Sequence, residues 1–162
     1  MGIKSFQGAR KQQKDTSQPT LLKVKDYMTT SLITFKPEQS VQEVVESLIK
    51  YKISGGPVVN DKQQLIGIIS EGDCLKQLSE SRYYNMPLEH DKVEKRMAVD
   101  VETIDGNMDV FDAANKFLQS KRRRFPIVEN GKLIGQISQK DILKAALHLK
   151  GENWNSTTKS SS

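Results

Sequence analysis

Gly67-Ile68-Ile69-Ser70-Glu71-Gly72-Asp73 and Gly135-Gln136-Ile137-Ser138-Gln139-Lys140-Asp141 are one heptapeptide written twice, 68 residues apart. Around it, Leu65, Ile66, Leu75 and Lys76 fall on Leu133, Ile134, Leu143 and Lys144 at the same offset. One extra residue in the preceding turn makes the offset 69. Lys23, Val24, Met28, Thr34, Val41, Lys52, Pro57 and Val59 then fall on Lys92, Val93, Met97, Thr103, Val110, Lys121, Pro126 and Val128. Sixteen identities in one order, with a single one-residue gap, mark a tandem duplication.

Each copy reads as strand, helix, strand, strand, helix, an α+β pattern. Residues 32–35 and 101–104 have the composition of short strands. Val41, Val44, Val45, Leu48 and Ile49 follow the spacing of a helix with one buried face, and Val110, Ala113, Ala114, Phe117 and Leu118 repeat it. Ser40 with Glu43 forms a capping box ahead of the first of these helices, and Asp109 can cap the second. Two strands joined by a turn follow in each copy. Asn130-Gly131 is a strong hairpin signal because both residues tolerate positive φ. Further helices are predicted near 71–79 and 139–149. The organisation is a basic flexible tail over 1–20, repeat 1 over 21–80, a linker over 81–91, repeat 2 over 92–149 and a second flexible tail over 150–162. A copy of about 55 residues is marginal alone. The two are expected to pack about a pseudo-twofold axis, leaving clefts between them, a favoured place for a small ligand.

Composition narrows the function. The chain has 162 residues, 36% of them hydrophobic and 28% charged, with a mean hydropathy of −0.58. No apolar run approaches the roughly 18 residues of a membrane span. The N-terminal stretch lacks a signal-peptide core, and Phe6 occupies the position where myristoylation wants Ser or Thr. These features point to a cytoplasmic, non-membrane protein. A single cysteine and two distant histidines, His90 and His148, speak against a disulfide framework or a metal site. The net charge of +5 resides largely in the tails, with +3 in residues 1–20, so nucleic acid is an unlikely partner. No Gly-x4-Gly-Lys loop or nucleophile–base arrangement suggests an enzyme.

The repeated Ser-x-x-Asp has two compatible readings. Ser70 and Ser138 can cap helices, with an acid three residues on. The same helix N-terminus presents free N–H groups to an anion, and an Asp one turn in can accept hydrogen bonds from two neighbouring hydroxyls, as a ribose phosphate requires. The run Lys121-Arg122-Arg123-Arg124 can be a solvated turn, a nucleic-acid patch or a phosphate clamp. It lacks the interleaved aromatics of a nucleic-acid surface, whereas arginine's planar fork suits phosphate oxygens.

Strand, amphipathic helix, "x-Pro-Val-Val", hairpin and "Gly-hydrophobic-x-Ser-x-x-Asp", duplicated over residues 22–149, resemble the cystathionine-β-synthase (CBS) domain family, as does the lead-in Val24-Lys25-Asp26-Tyr27-Met28-Thr29. The resemblance implies two tandem β-α-β-β-α repeats, a Bateman module. It further implies a regulatory, non-catalytic role in which an adenosine-containing ligand (AMP, ADP, ATP or S-adenosylmethionine) is bound. The module is expected to homodimerise through its helices and to modulate an unidentified partner protein. The alternative is a ligand-free dimeric scaffold. No cofactor is implied beyond the nucleotide itself.

Carried over by position, the resemblance assigns Ser70 and Asp73 to phosphate and ribose. It assigns Ile68 and Val101 to adenine, and Arg123, Arg124 and Lys140 to phosphate, in a main cleft. Ser138, Asp141, Leu32 and Ser54 would form a second, weaker cleft. There Ser54, Gly55 and Gly72 replace the basic residues. Elsewhere Cys74 reads as a small core residue. Tyr83, Tyr84 and Met86 are expected to pack over the core or the dimer seam, and His148 to favour a helix dipole and no more. Trp154 suggests no role.

Overall fold

The computed structural model describes residues 22–85 and 90–149. The expected tails, Met86, Trp154 and the side chain of Tyr84 lie outside the described residues. Repeat 1 holds α1 (Val41–Tyr51), β1 (Gly55–Val59), β2 (Leu65–Ser70) and α2 (Glu71–Tyr84). Repeat 2 holds the one-turn α3 (Val93–Arg96), β3 (Ile104–Asp105), α4 (Val110–Ser120), β4 (Arg124–Glu129), β5 (Lys132–Ser138) and α5, residues 139–149.

The amphipathic helices bury only part of the faces that their spacing predicts, leaving Ile49 and Leu118 exposed. Val41, Val44 and Leu48 are buried on α1, and Val110, Ala113 and Phe117 on α4. Ser40 accepts a hydrogen bond from the Glu43 N–H and Asp109 accepts one from the Phe111 N–H, both at 3.1 Å. Each helix stops at a lysine in the left-handed region, Lys52 (φ 54°) and Lys121 (φ 59°). β1 pairs antiparallel with β2, and β4 with β5. Asn130 and Gly131 turn the second hairpin with φ of 53° and 80°.

Three further expectations shift. The first strand of repeat 1 shrinks to a single parallel bridge, Phe35 to Val58, and its counterpart is the two-residue β3. The buried Phe35 and Ile104 anchor these segments. The helix expected to end near 79 runs on to Tyr84, through the start of the expected linker, and closes at Asn85 in the left-handed conformation. Tyr83 on that last turn is 84% exposed, so it does not pack over the core.

The repeats also exchange their lead-in segments. The Val24 N–H donates to the Met108 carbonyl, the Val110 N–H to the Leu22 carbonyl, and the N–H groups of Thr29 and Gln136 each donate to the other's carbonyl at 2.8 and 2.9 Å. Residues 22–29 thus lie on repeat 2, and Val24 is buried with Ile104, Phe125 and Ile137. Reciprocally, the Val41 N–H donates to the Asp91 carbonyl, Ile68 and Ala98 exchange both backbone bonds, and Val93 is buried with Phe35, Val44 and Ile69. The packed cores therefore do not coincide with the sequence repeats. Each needs a valine from the other copy.

The crossing explains the glycines of the heptapeptide. A Cβ on Gly67 would lie 2.5 Å from Met97 Sδ and 2.9 Å from the Ala98 carbonyl oxygen; one on Gly135 would meet Met28 Sδ and the Thr29 oxygen at the same two distances. Any side chain would displace the incoming strand.

Pseudo-equivalent positions diverge beside the crossing. In one half, buried Asp91 accepts from Arg96 Nε at 2.6 Å, and Arg96 also pairs with Glu80. The Asp91 hydrogen bond, assisted by Glu80 and opposed by burial, raises the Arg96 pKa above its ordinary value. In the other half the corresponding residues are Leu22, Tyr27 and His148. Tyr27 Oη lies 3.0 Å from His148 Nδ1, with the rings edge to face. The sequence expects His148 only to favour a helix dipole, and it makes a contact across the crossing instead.

Candidate functional site

Both Ser-x-x-Asp motifs are reciprocal caps. The Asp73 N–H donates to Ser70 Oγ at 3.4 Å, while the Ser70 N–H and hydroxyl donate to Asp73 Oδ2 at 2.9 and 3.0 Å. In repeat 2 the Asp141 N–H donates to Ser138 Oγ at 3.2 Å and the Ser138 N–H to Asp141 Oδ2 at 2.9 Å. The structural reading therefore stands for both. Each carboxylate holds the first turn of its helix through one oxygen.

The residue before each hairpin is clipped to the following helix. The Glu71 N–H donates to the Ser54 carbonyl at 2.9 Å, and the Gln139 N–H to the Arg123 carbonyl at 3.3 Å. Gln139 Nε2 adds a bond to the Arg122 carbonyl at 3.2 Å. Ser54 and Arg123 are pseudo-equivalent, so the crossing brings them near each other from opposite halves. Between the two hairpins lies a cleft of 250 Å³ whose lining includes Ser54, Pro57, Ile68 and Ser70 of repeat 1, and Arg122, Arg123, Arg124, Pro126 and Gln136 of repeat 2. The basic run is thereby divided. Arg122 is engaged by Glu102 at 3.3 Å, whereas Arg123 and Arg124 are exposed and have no carboxylate partner among the described residues. Two uncompensated guanidiniums facing a helix-capping serine form an anion-attracting wall.

The sequence-predicted residues separate accordingly. Ser70, Ile68, Arg123 and Arg124 share the cleft, and Ser54, expected in the second cleft, lines this one. Asp73 and Val101 are half-buried outside its lining, and Lys140 is exposed on the first turn of α5. Ser138, Asp141 and Leu32 are half-buried and likewise outside it. The sequence reading missed Pro57, Pro126 and Gln136. The only signal in the sequence was the repeat register, which makes Gln136 the counterpart of Ile68 and Pro126 that of Pro57.

On the far side of Ser54, Arg123 and Arg124 is a larger groove of 710 Å³, walled by apolar residues of α1 and α2 that include Val45, Ile49, Leu75 and Leu78. Cys74 also reaches it, and burial, with Asp73 and Glu71 nearby, pushes the thiol above its ordinary pKa. Among the described residues no group of His, Cys, Asp and Glu side chains could hold a metal ion, and no helix is long and apolar enough to cross a membrane.

A family model for the CBS domain matches the chain twice, at residues 24–80 and 93–148. The chain belongs to the CBS domain family. Among solved CBS pairs, CBSX2 of Arabidopsis thaliana in complex with AMP superposes with a TM-score of 0.70 at 32% identity, over 80% of this chain and 98% of that one. The CBS pair of protein MJ0100, in complex with 5′-methylthioadenosine and S-adenosyl-L-methionine, gives a TM-score of 0.64 at 26% identity, over 82% and 98%. The protein MJ1225 of Methanocaldococcus jannaschii is 28% identical over 131 residues, 81% of this chain. The chain spans only 44% of MJ1225, and 67% of the chloroplastic CBSX2 sequence. The duplicated α+β fold is thus that of a tandem CBS pair.

Proposed function

We propose that this CBS pair is a non-catalytic regulatory module that binds an adenosine-containing ligand (AMP, ADP, ATP or S-adenosylmethionine) between its repeats and thereby modulates a partner protein. The observation that carries the reading is the pair of arginines, Arg123 and Arg124, beside Ser70 in the cleft between the hairpins. A phosphorylated nucleoside supplies the missing negative charge. The complexes of CBSX2 with AMP and of MJ0100 with S-adenosyl-L-methionine support the ligand class. Ser70 and the first turn of α2 hold the phosphate end, while Ile68 and the two prolines supply apolar surface to the nucleoside. Asp73, braced against Ser70, contributes the ribose acceptor. Val101 and Lys140, outside the cleft lining, complete this main site in the proposed reading. Ser138, Asp141 and Leu32 form the weaker second site, where the missing arginines disfavour phosphate.

Calorimetry with AMP, ATP, adenosine and S-adenosylmethionine tests the proposal. A ligand at ~100 times its dissociation constant should add about 2.7 kcal/mol to stability. Charge-assisted hydrogen bonds are worth roughly 1.5–3 kcal/mol each, so Asp73→Ala should weaken AMP at least about tenfold. Arg124→Ala should weaken AMP and ATP more than adenosine, and Asp141→Ala should leave AMP nearly unchanged. Loss of AMP in Asp141→Ala with retention in Asp73→Ala would refute the assignment.

The same module is proposed to act as a homodimer. Ile49 and Leu75 are 73% and 64% exposed, and their pseudo-equivalents Leu118 and Leu143 are 79% and 68% exposed. The duplication has thus kept one apolar helical face twice. This observation also favours the second reading, a ligand-free dimeric scaffold. Light scattering that gives an 18.3 kDa monomer at micromolar concentration would exclude both dimeric forms.

A further inference from the structure

The floor of the cleft is built in pseudo-symmetric pairs. Pro57 is registered against Ile68 on the first hairpin, and Pro126 against Gln136 on the second. Side chains alternate along a strand. Ile69 and Ile137 are buried in their cores, so Ile68 and Gln136 face the other way, and both line the cleft. Three of these four residues are apolar; the fourth is a carboxamide. Its backbone is held on both sides by Thr29, which fixes the position of its Cα. The Gln136 side chain itself makes no hydrogen bond among the described residues. Packing in this strand does not demand an amide, because isoleucine serves at the equivalent position.

We infer that Gln136 is the specificity-determining residue of this cleft, reading the 6-amino edge of a purine base. The inference rests on the nucleotide reading above. A carboxamide presents one acceptor and one donor in a plane. Its oxygen can accept from the 6-amino group while its NH2 donates to the adjacent ring nitrogen, the bidentate match by which glutamine recognises adenine elsewhere. Arg123 and Arg124 hold the phosphate, so they bind any nucleotide alike. Gln136 supplies the discrimination between bases.

The test uses the full chain, AMP, and purine riboside 5′-monophosphate, which differs from AMP only in lacking the 6-amino group. Calorimetry on the wild type should show AMP bound about tenfold more tightly than the analogue. Gln136→Ile installs the residue that repeat 1 already carries at this strand position. It should weaken AMP by a similar factor and bring the ratio of the two affinities close to one. Gln136→Met, unbranched and of similar size, should do the same, and it replaces the isoleucine variant if that one fails to melt cooperatively. An undiminished preference for AMP in either folded variant overturns the role of Gln136 and leaves the nucleotide reading intact. Equal weakening of both ligands, with the ratio preserved, also overturns it, since the amide would then touch the ribose. If the wild type binds neither AMP nor its analogue, the nucleotide reading fails and this inference fails with it.

Discussion

Gly135→Ala should destabilise the protein, and Gly72→Ala should not, although both add one methyl group to a glycine of the same heptapeptide. At Gly135 the new Cβ would lie 2.5 Å from Met28 Sδ and 2.9 Å from the Thr29 carbonyl oxygen. The methionine tip can rotate away, but the oxygen cannot retreat freely because it accepts the Gln136 N–H at 2.9 Å. The lead-in segment must therefore shift and weaken its bridge to β5. Overpacking of this kind costs about 1–3 kcal/mol, which for a chain of this size lowers the melting temperature by roughly 3–10 °C. At Gly72 the nearest atom, Ser70 Oγ, would be 3.7 Å from the added Cβ, an ordinary contact. There the gain in helix propensity should stabilise by about 0.5 kcal/mol. Thermal melting by circular dichroism compares the two variants directly. If Gly135→Ala melts with the wild type while Gly72→Ala melts below it, residues 22–29 do not cross onto repeat 2 as described.

Gln77 is fully buried, and both atoms of its amide lack a hydrogen-bond partner among the described residues, whereas Ala145 holds the pseudo-equivalent place. Gln77→Met keeps the length and removes the unpaired groups, so chemical denaturation should show a gain of about 1–3 kcal/mol; a loss would mean that the amide is satisfied by solvent. Arg96→Met strips the buried Asp91 carboxylate of its counter-charge and should cost about 3 kcal/mol. Mutating Asp91 to Asn in that background should recover part of it, and no recovery would count against the pairing. The raised pKa of Cys74 means that its thiolate is scarce at neutral pH. Alkylation should be slow there and accelerate only above the pH at which a free thiol reacts, and neutral-pH labelling at the free-thiol rate would contradict the burial.

The duplication was legible because apolar spacing and capping residues act locally. Val41, Val44 and Leu48 need only the helix period to declare one buried face, and Ser40 and Asp109 need only their own helix to cap. Asn130-Gly131 declares its turn in the same way. The crossing was not legible. Val24 and Val93 sit in equivalent sequence positions, and nothing near either says which copy's core receives it. Only the two glycines hinted that something approaches β2 and β5 closely. The candidate site divides along the same line. Arg123 and Arg124 stood out as charge, but their meeting with Ser54, rather than with Lys140 or Val101, depends on how the two hairpins face each other. That arrangement is set by tertiary packing.

The crossing also bears on what occupancy of the cleft can do. Gln136 is bonded on both sides to Thr29, and Ile68 to Ala98, so each side of the cleft floor is tied to a lead-in segment from the other repeat. Those lead-ins carry Val24 and Val93 into the opposite cores. A ligand of the proposed class that drew the two hairpins together would therefore load both lead-ins at once. The sequence changes that break the pseudo-symmetry lie along this same path. Ile68 becomes Gln136 on the floor, and Ser54 becomes Arg123 on the wall. Beside the lead-ins, Tyr27 and His148 stand where the other half has Arg96 and Glu80. Symmetric mechanics with asymmetric chemistry would let a single ligand of the proposed class, seated in one orientation, act on both halves of the pair.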